Sequence, residues 1–216
     1  MNKIVLHNYY RSSTSYRVRI ALEMKGLDYT YVPHHLRHGE HHEPSYLAVN
    51  PQGFVPALIW SDGTLLVQSL AIIEFLDESV PEPPLLPTDP AGRARVRMIA
   101  QMIACDIHPI NNLRILTSLR TLFGASDDDV ANWFRHWVNE TFQPLEKILS
   151  ESKETGKFCH GDTPGLADIC LAAQVVNNTR YNFDMEPYPT IARIHDACMA
   201  LPAFIKAAPK NQPDAE

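Results

Sequence analysis

A small αβ domain followed by an all-helical domain is the fold class that this 216-residue sequence predicts. Three observations carry that expectation. Short β-prone runs alternate with helical spacing over residues 1–80. Four prolines then crowd into Val80-Pro81-Glu82-Pro83-Pro84-Leu85-Leu86-Pro87, a stiff segment that no helix crosses. Beyond it the composition is helical almost to the end. The expected division is therefore an αβ domain at 1–80, a linker at 81–88 and a helical domain at 89–216.

Residues 3–8 read as a first strand, and Tyr16 to Lys25 has helical spacing, with Gly26 placed to end that helix. Tyr29 to Val32 is a second β-prone run. Val55 to Trp60 and Thr64 to Val67, joined through Asp62-Gly63, form a hairpin, since Asp-Gly supplies the turn conformation that hairpins need. Ser69 stands where it would cap a helix running to about Glu78, its apolar face made by Ile72, Ile73, Phe75 and Leu76. In the second half, helices are expected near 89–120, 127–151, 166–180 and 190–200, the first kinked at Pro109. The polar tail from Pro209 has little to bury.

The bulk composition narrows the function classes. With a net charge of -6, general attraction to nucleic acid is not expected. Every apolar run is broken by charge well short of the ~18 residues that a membrane helix needs. Cys105, Cys159, Cys170 and Cys198 are scattered without a C-x-x-C, as in reduced, cytoplasmic proteins. A few local arginines still suffice to attract a small anion.

Several clusters carry possible chemistry. Arg11-Ser12-Ser13-Thr14-Ser15 lies between a strand and a helix, where hydroxyls and free amides meet a helix N-terminus. It either caps the helix through Ser13 or Ser15, or stabilises a thiolate or carboxylate. Arg17 and Arg19 are two apart and point differently, one structural and the other solvated. Val55 precedes Pro56 at a strand entry, an ordinary turn or a cis bond that presents the Val55 main chain. Gln68-Ser69 is either a plain cap or a seat for a ligand carboxylate. His34, His35, His38, His41 and His42 fall within nine residues; a polar surface loop suits them better than a zinc site, for no cysteine or well-spaced carboxylate joins them. Around Pro109, Cys105, Asp106, His108, Asn111, Asn112 and Arg114 make a helix rich in polar groups, with His108 and Asn112 on one face. Arg114 and Arg180 suit either a bidentate grip on an anionic substrate or surface ion pairs. Asp168, three residues after Gly165, reads as the reaching half of a capping box.

Taken together, Ser12 to Leu22, Asn50-Pro51-Gln52, Val55 to Leu58, Gln68 to Glu74, Cys105 to Asn112 and Pro187 to Ile191 resemble the zeta class of the glutathione transferases over essentially the whole chain. The resemblance implies the glutathione transferase fold, in which the αβ half is a thioredoxin-like domain. It also implies glutathione as cofactor, no metal, a small dicarboxylic substrate and a homodimer. Residue by residue, Ser12 or Ser13 matches the hydroxyl that bonds the thiolate, and Thr14 replaces a common cysteine. Val55 matches the residue that pairs with the cysteinyl main chain, and Gln68 and Ser69 those that take the γ-glutamyl carboxylate. Gln52 and His108 match binders of the glycyl end or the thiol side, and Asn112 joins this cofactor-binding set. Arg11, Arg114 and Arg180 match a clamp for a diacid. The implied activity is cis–trans isomerisation of a maleyl-type enone diacid. Conjugation of small electrophiles or dehalogenation of α-haloacids is the alternative on the same scaffold, and a non-catalytic glutathione-binding protein the more distant one.

Overall fold

In the computed structural model, residues 3–216 are described. They divide into two compact units, one running to Leu85 and taking in Ala200–Glu216, the other Leu86–Met199.

The first unit is built on a four-stranded sheet of order β2-β1-β3-β4. Strand β1 (Ile4–Asn8) pairs in parallel with β2 (Tyr29–Pro33), joined by helix α1 (Ser13–Met24). Strand β3 (Ala57–Ile59) runs antiparallel to β1 and turns through Asp62-Gly63 into β4 (Leu65–Val67). In that turn the Thr64 amide donates to Asp62 Oδ1 at 2.8 Å, and Gly63 takes a φ of 94°. Two 3₁₀ turns (Leu36–His38 and Glu40–His42) and the short helix α2 (Pro44–Leu47) fill the histidine-rich stretch, and α3 (Ser69–Ser79) closes the unit. Lys25, buried at the end of α1, donates to Asp77 Oδ1 at 2.7 Å and to the Pro83 carbonyl at 2.6 Å, fastening the proline segment.

Residues 200–216 belong to this unit, not to the helical one as the boundaries read from sequence had it. The cause lies in α1. The Tyr16 hydroxyl donates to the Phe204 carbonyl at 3.0 Å, and Arg19 Nε donates to the Ala207 carbonyl at 3.0 Å, both within or beside α10 (Pro202–Ala207). Arg17 and Arg19 are both buried, at 1% and 0% exposure, so neither is the solvated one that their spacing suggested.

In the second unit the expected helix 89–120 is four pieces. α4 (Pro90–Gln101), capped by Asp89, passes into a π-helical stretch (Met102–Ile107), then α5 (His108–Asn111), and restarts as α6 (Leu113–Phe123). Pro109 has no amide, and its ring crowds the carbonyl four residues back; widening the preceding turn relieves both problems without ending the helix. α7 (Asp127–Glu151) begins with a capping box of Ser126 and Asp129, and α9 (Pro189–Met199) closes the unit. α8 (Leu166–Asn178) is buried nearly all round and forms the centre. The carboxylate of Asp168 accepts from the amides of Gly165 at 2.9 Å and Cys159 at 2.8 Å, which makes it a structural group. No described helix is long and apolar enough to cross a membrane.

His7 and His34, on β1 and just after β2, share a ring nitrogen contact of 2.9 Å and stack at 5.1 Å. Burial lowers the pKa of both from the ordinary 6.5, and the His34 neighbour lowers that of His7 further. Just below that ordinary value the unfolded chain therefore binds more protons than the folded one, and stability falls as pH drops. Melting temperatures followed from about pH 7.5 to about pH 5.5 will decline, and a His7→Gln/His34→Gln variant will show a flatter decline.

Candidate active site

The site begins where β1 ends. From Asn8 the chain turns through Tyr9, Tyr10 and Arg11 into Ser12, the N-cap of α1. Ser12, not Ser13 or Ser15, is the cap: its Oγ accepts the Ser15 amide at 3.1 Å while its own φ and ψ are extended. Ser13 lies inside the first helical turn at 7% exposure, whereas Ser12, Thr14 and Arg11 are half-buried. No acidic residue occupies the first turn of α1. An anion there meets the positive end of the helix without a competing carboxylate in that turn.

Thr14 has a role that sequence reading missed. Its hydroxyl donates to the Val55 carbonyl at 3.0 Å and lies 2.8 Å from Ser12 Oγ. Because Thr14 has one proton and gives it to Val55, the Ser12 proton is left to point at Thr14 Oγ1. The Ser12–Thr14–Val55 relay thus joins the helix turn to the loop entering β3. The Val55–Pro56 bond is cis. Beneath the relay, Tyr9, Tyr10, Tyr46, Val55 and Ala57 form one buried cluster. Asn50, also buried, donates to the Phe54 carbonyl at 2.8 Å and accepts the Gln52 amide at 3.1 Å, which shapes the loop.

Gln68 and Ser69 stand at the start of α3. Gln68 occupies the cap position, so Ser69 is the first helical residue and does not cap. The Ser69 hydroxyl instead accepts from Arg17 Nη1 at 3.4 Å. Gln68 holds a φ of 71° and a ψ of 116°, a strained conformation for a residue other than glycine, costing of order 1–3 kcal/mol. No side chain caps α3, which leaves its first-turn amides open to an anion. The exposed Gln68 side chain donates to Gln52 Oε1 at 3.3 Å. The structure therefore gathers Ser12, Gln52, Val55, Gln68 and Ser69 on one unit through shared hydrogen bonds or adjacent elements.

The remaining candidates lie on the second unit, apart from Arg11. His108 begins α5 and is half-buried; Asn112 caps α6, its Oδ1 accepting the Ile115 amide at 3.2 Å. Arg114, on α6, and Arg180, in a 3₁₀ turn (Thr179–Tyr181), are both exposed. Of the histidines, His35 and His38 with Glu216 place ligand atoms within 4.8 Å of one another. The two rings stack at 3.7 Å and 24°, so their in-plane lone pairs run side by side and do not converge on one ion. The rings of His41 and His42 meet at 3.9 Å, tilted by 41°, beside Gly53, whose missing side chain makes room for the His41 carbonyl.

Comparison with known proteins settles the kinship. Residues 6–84 match the model of the glutathione S-transferase N-terminal domain, and residues 116–207 that of the C-terminal domain. The maleylacetoacetate isomerase of Pseudomonas aeruginosa is 46% identical over 211 residues, covering 97% of each chain. The chain belongs to the zeta-class glutathione transferase family. A solved holo maleylpyruvate isomerase of that class superposes with a TM-score of 0.96 at 45% identity, over 98% of this chain and 100% of that one. A maleylacetoacetate isomerase from Methylobacterium extorquens AM1, with malonate and glutathione bound, gives 0.95 at 40% identity, over 98% and 99%. The glutathione transferase fold expected from the sequence is the one observed.

Thr14→Val removes the donor to Val55 and the acceptor for Ser12 while preserving shape. Chemical denaturation will show a loss of about 1–2 kcal/mol, and Thr14→Ser will recover most of it.

Proposed function

We propose that this chain is a glutathione-dependent cis–trans isomerase of a maleyl-type enone diacid, with maleylpyruvate and maleylacetoacetate as the two substrates to compare. The observation that carries the reading is the half-buried Ser12 hydroxyl at an α1 N-terminus free of acid in its first turn, braced through Thr14 to Val55. Likeness to isomerases of this class along nearly the whole chain, at 45–46% identity, supports it.

The residues present fit glutathione. The open, uncapped start of α3 with Gln68 and Ser69 suits the γ-glutamyl carboxylate. The Val55 main chain suits the cysteinyl residue, its carbonyl keeping a second lone pair beyond the Thr14 bond. Gln52, tied to Gln68, suits the glycyl end, and His108 and Asn112 are assigned to the same cofactor. Bound glutathione supplies a thiolate that adds to the cis double bond, frees it to rotate and leaves to restore the trans bond. Ser12 redirects its proton from Thr14 to the sulfur, because a hydrogen bond to an ionised acceptor is stronger than one to a neutral hydroxyl. The α1 N-terminus adds a favourable field and so favours the thiolate over the thiol. Ser13, buried, supports the turn rather than reaching the ligand. Arg11, Arg114 and Arg180 are assigned to the substrate carboxylates and to the charge that develops on the carbonyl oxygen. The malonate in the Methylobacterium extorquens relative supports a small diacid as the substrate type.

For assembly we read a homodimer. That is the assembly that the resemblance to the zeta class implies. Sedimentation equilibrium will give a particle of twice the chain mass; a monomer at micromolar concentration overturns the reading.

Loss of enone ultraviolet absorbance, followed with and without glutathione on both substrates, tests the activity. Turnover will require glutathione. Ser12→Ala will lower kcat by about 10²–10³-fold. Arg114→Leu and Arg180→Leu will each raise the diacid KM by roughly tenfold or more and leave glutathione affinity unchanged. Glutathione binding without turnover of either diacid would move the assignment to a conjugating or dehalogenating transferase.

A further inference from the structure

The C-terminal residues carry more than a polar tail should. Asn211 Nδ2 donates to the Ile205 carbonyl at 2.7 Å, and Gln212 Nε2 to the carbonyls of Lys206 at 2.8 Å and Ala208 at 3.0 Å. These bonds fold the tail back on α10 and bring Asp214 to the start of the Ser12 turn. Asp214 Oδ2 accepts the Tyr10 amide at 3.1 Å, and Oδ1 accepts the Tyr31 hydroxyl in a short bond. Two residues on, Glu216 pairs with His35 at 3.1 Å, and His35 also meets the Tyr9 hydroxyl at 3.3 Å.

The same turn is held from below by Arg19. Its guanidinium donates to Asn8 Oδ1 at 2.9 Å and to the carbonyls of Tyr9 at 3.3 Å, Tyr10 at 3.0 Å and Ala207 at 3.0 Å. All four acceptors are neutral. A buried cation satisfied only by neutral groups is costly unless an anion lies near. Burial lowers the Arg19 pKa, and among the groups opposing that effect Asp214 is the carboxylate. Tyr31, its pKa raised by burial and then by its bond to Asp214, keeps its proton and remains a donor. The Tyr10 main chain is thus held on both sides of its Cα: the carbonyl by Arg19, the amide N–H by Asp214.

We propose that Asp214 is a positioning residue for catalysis: carried in on the C-terminal tail, it balances Arg19 and fixes the Tyr9–Ser12 turn so that the Ser12 hydroxyl is aimed at the thiolate. This rests on the reading of Ser12 given above. Asp214 acts through the Tyr10 main chain, two residues before Ser12.

The test compares Asp214→Ala, Asp214→Asn and Ser12→Ala, with Glu216→Ala as a control for tail attachment. The readouts are the pKa of enzyme-bound glutathione, from thiolate absorbance against pH, together with kcat and the glutathione KM. Asp214→Ala will raise the bound-thiol pKa by about one unit and lower kcat about tenfold, with the KM moving less than about threefold. Asp214→Asn keeps the size but loses the charge, and will fall between it and the parent. Glu216→Ala will stay near the parent. If Ser12→Ala shifts the thiol pKa while both folded Asp214 variants leave it and kcat unchanged, the tail proposal is overturned and the Ser12 reading stands. If Ser12→Ala itself shifts nothing, the Ser12 reading fails and this proposal with it. Should Asp214→Ala not fold, Asp214→Asn decides alone: a parental thiol pKa and kcat overturn the proposal.

Discussion

The buried guanidinium of Arg19 is the interaction on which the active-site end of the first unit depends. It is fully buried, yet its partners are carbonyls and an amide oxygen contributed by β1, the following turn and α10. One cation therefore ties the end of a strand, the start of a helix and a segment nearly two hundred residues away in sequence. Dispersion and apolar burial would hold these elements together without fixing their register. A planar fork with directional donors also sets where the turn carrying Ser12 must lie.

The second constraint is the relay from Ser12 through Thr14 to Val55. It converts a helix cap, a local device, into a long-range fastening between the α1 turn and the loop entering β3. The strained Gln68 sits on the next connection, after β4, and is linked back to the same loop through Gln52. Strain held in place by surrounding bonds is the usual mark of a connection shaped for a ligand and not for stability. Three connections of the sheet are thus tied together around one corner of the unit.

Much of this was legible in the sequence. The Asp62-Gly63 hairpin, the helix stop at Gly26 and the Asp168 box follow from turn and cap chemistry that acts over a few residues, and all three appear in the structure. Local rules fail where the deciding partner is distant. Two arginines two positions apart on a helix read as facing apart, and nothing nearby says that α10 supplies the carbonyl that buries one of them. Ser69 looked like a cap because its neighbours suit one, but Gln68 takes the cap position through a conformation that its residue type does not announce. Pro109 signalled a kink; the chain answered with a π-helical widening of the preceding turn. Of the site residues, the cluster on the first unit could be read from motif spacing, whereas the fastening role of Thr14 needed coordinates.

The membership of residues 200–216 in the first unit bears on the order in which the molecule is made. Strand β1 and helix α1 leave the ribosome before the second unit does, but the carbonyl of Ala207 that completes the shell around Arg19 emerges only after every residue of that unit. The helical unit is continuous in sequence and has all its parts before the first unit does. The first unit is therefore interrupted by the second, and its arginine pocket stays open on one side until the whole of the second unit has been made.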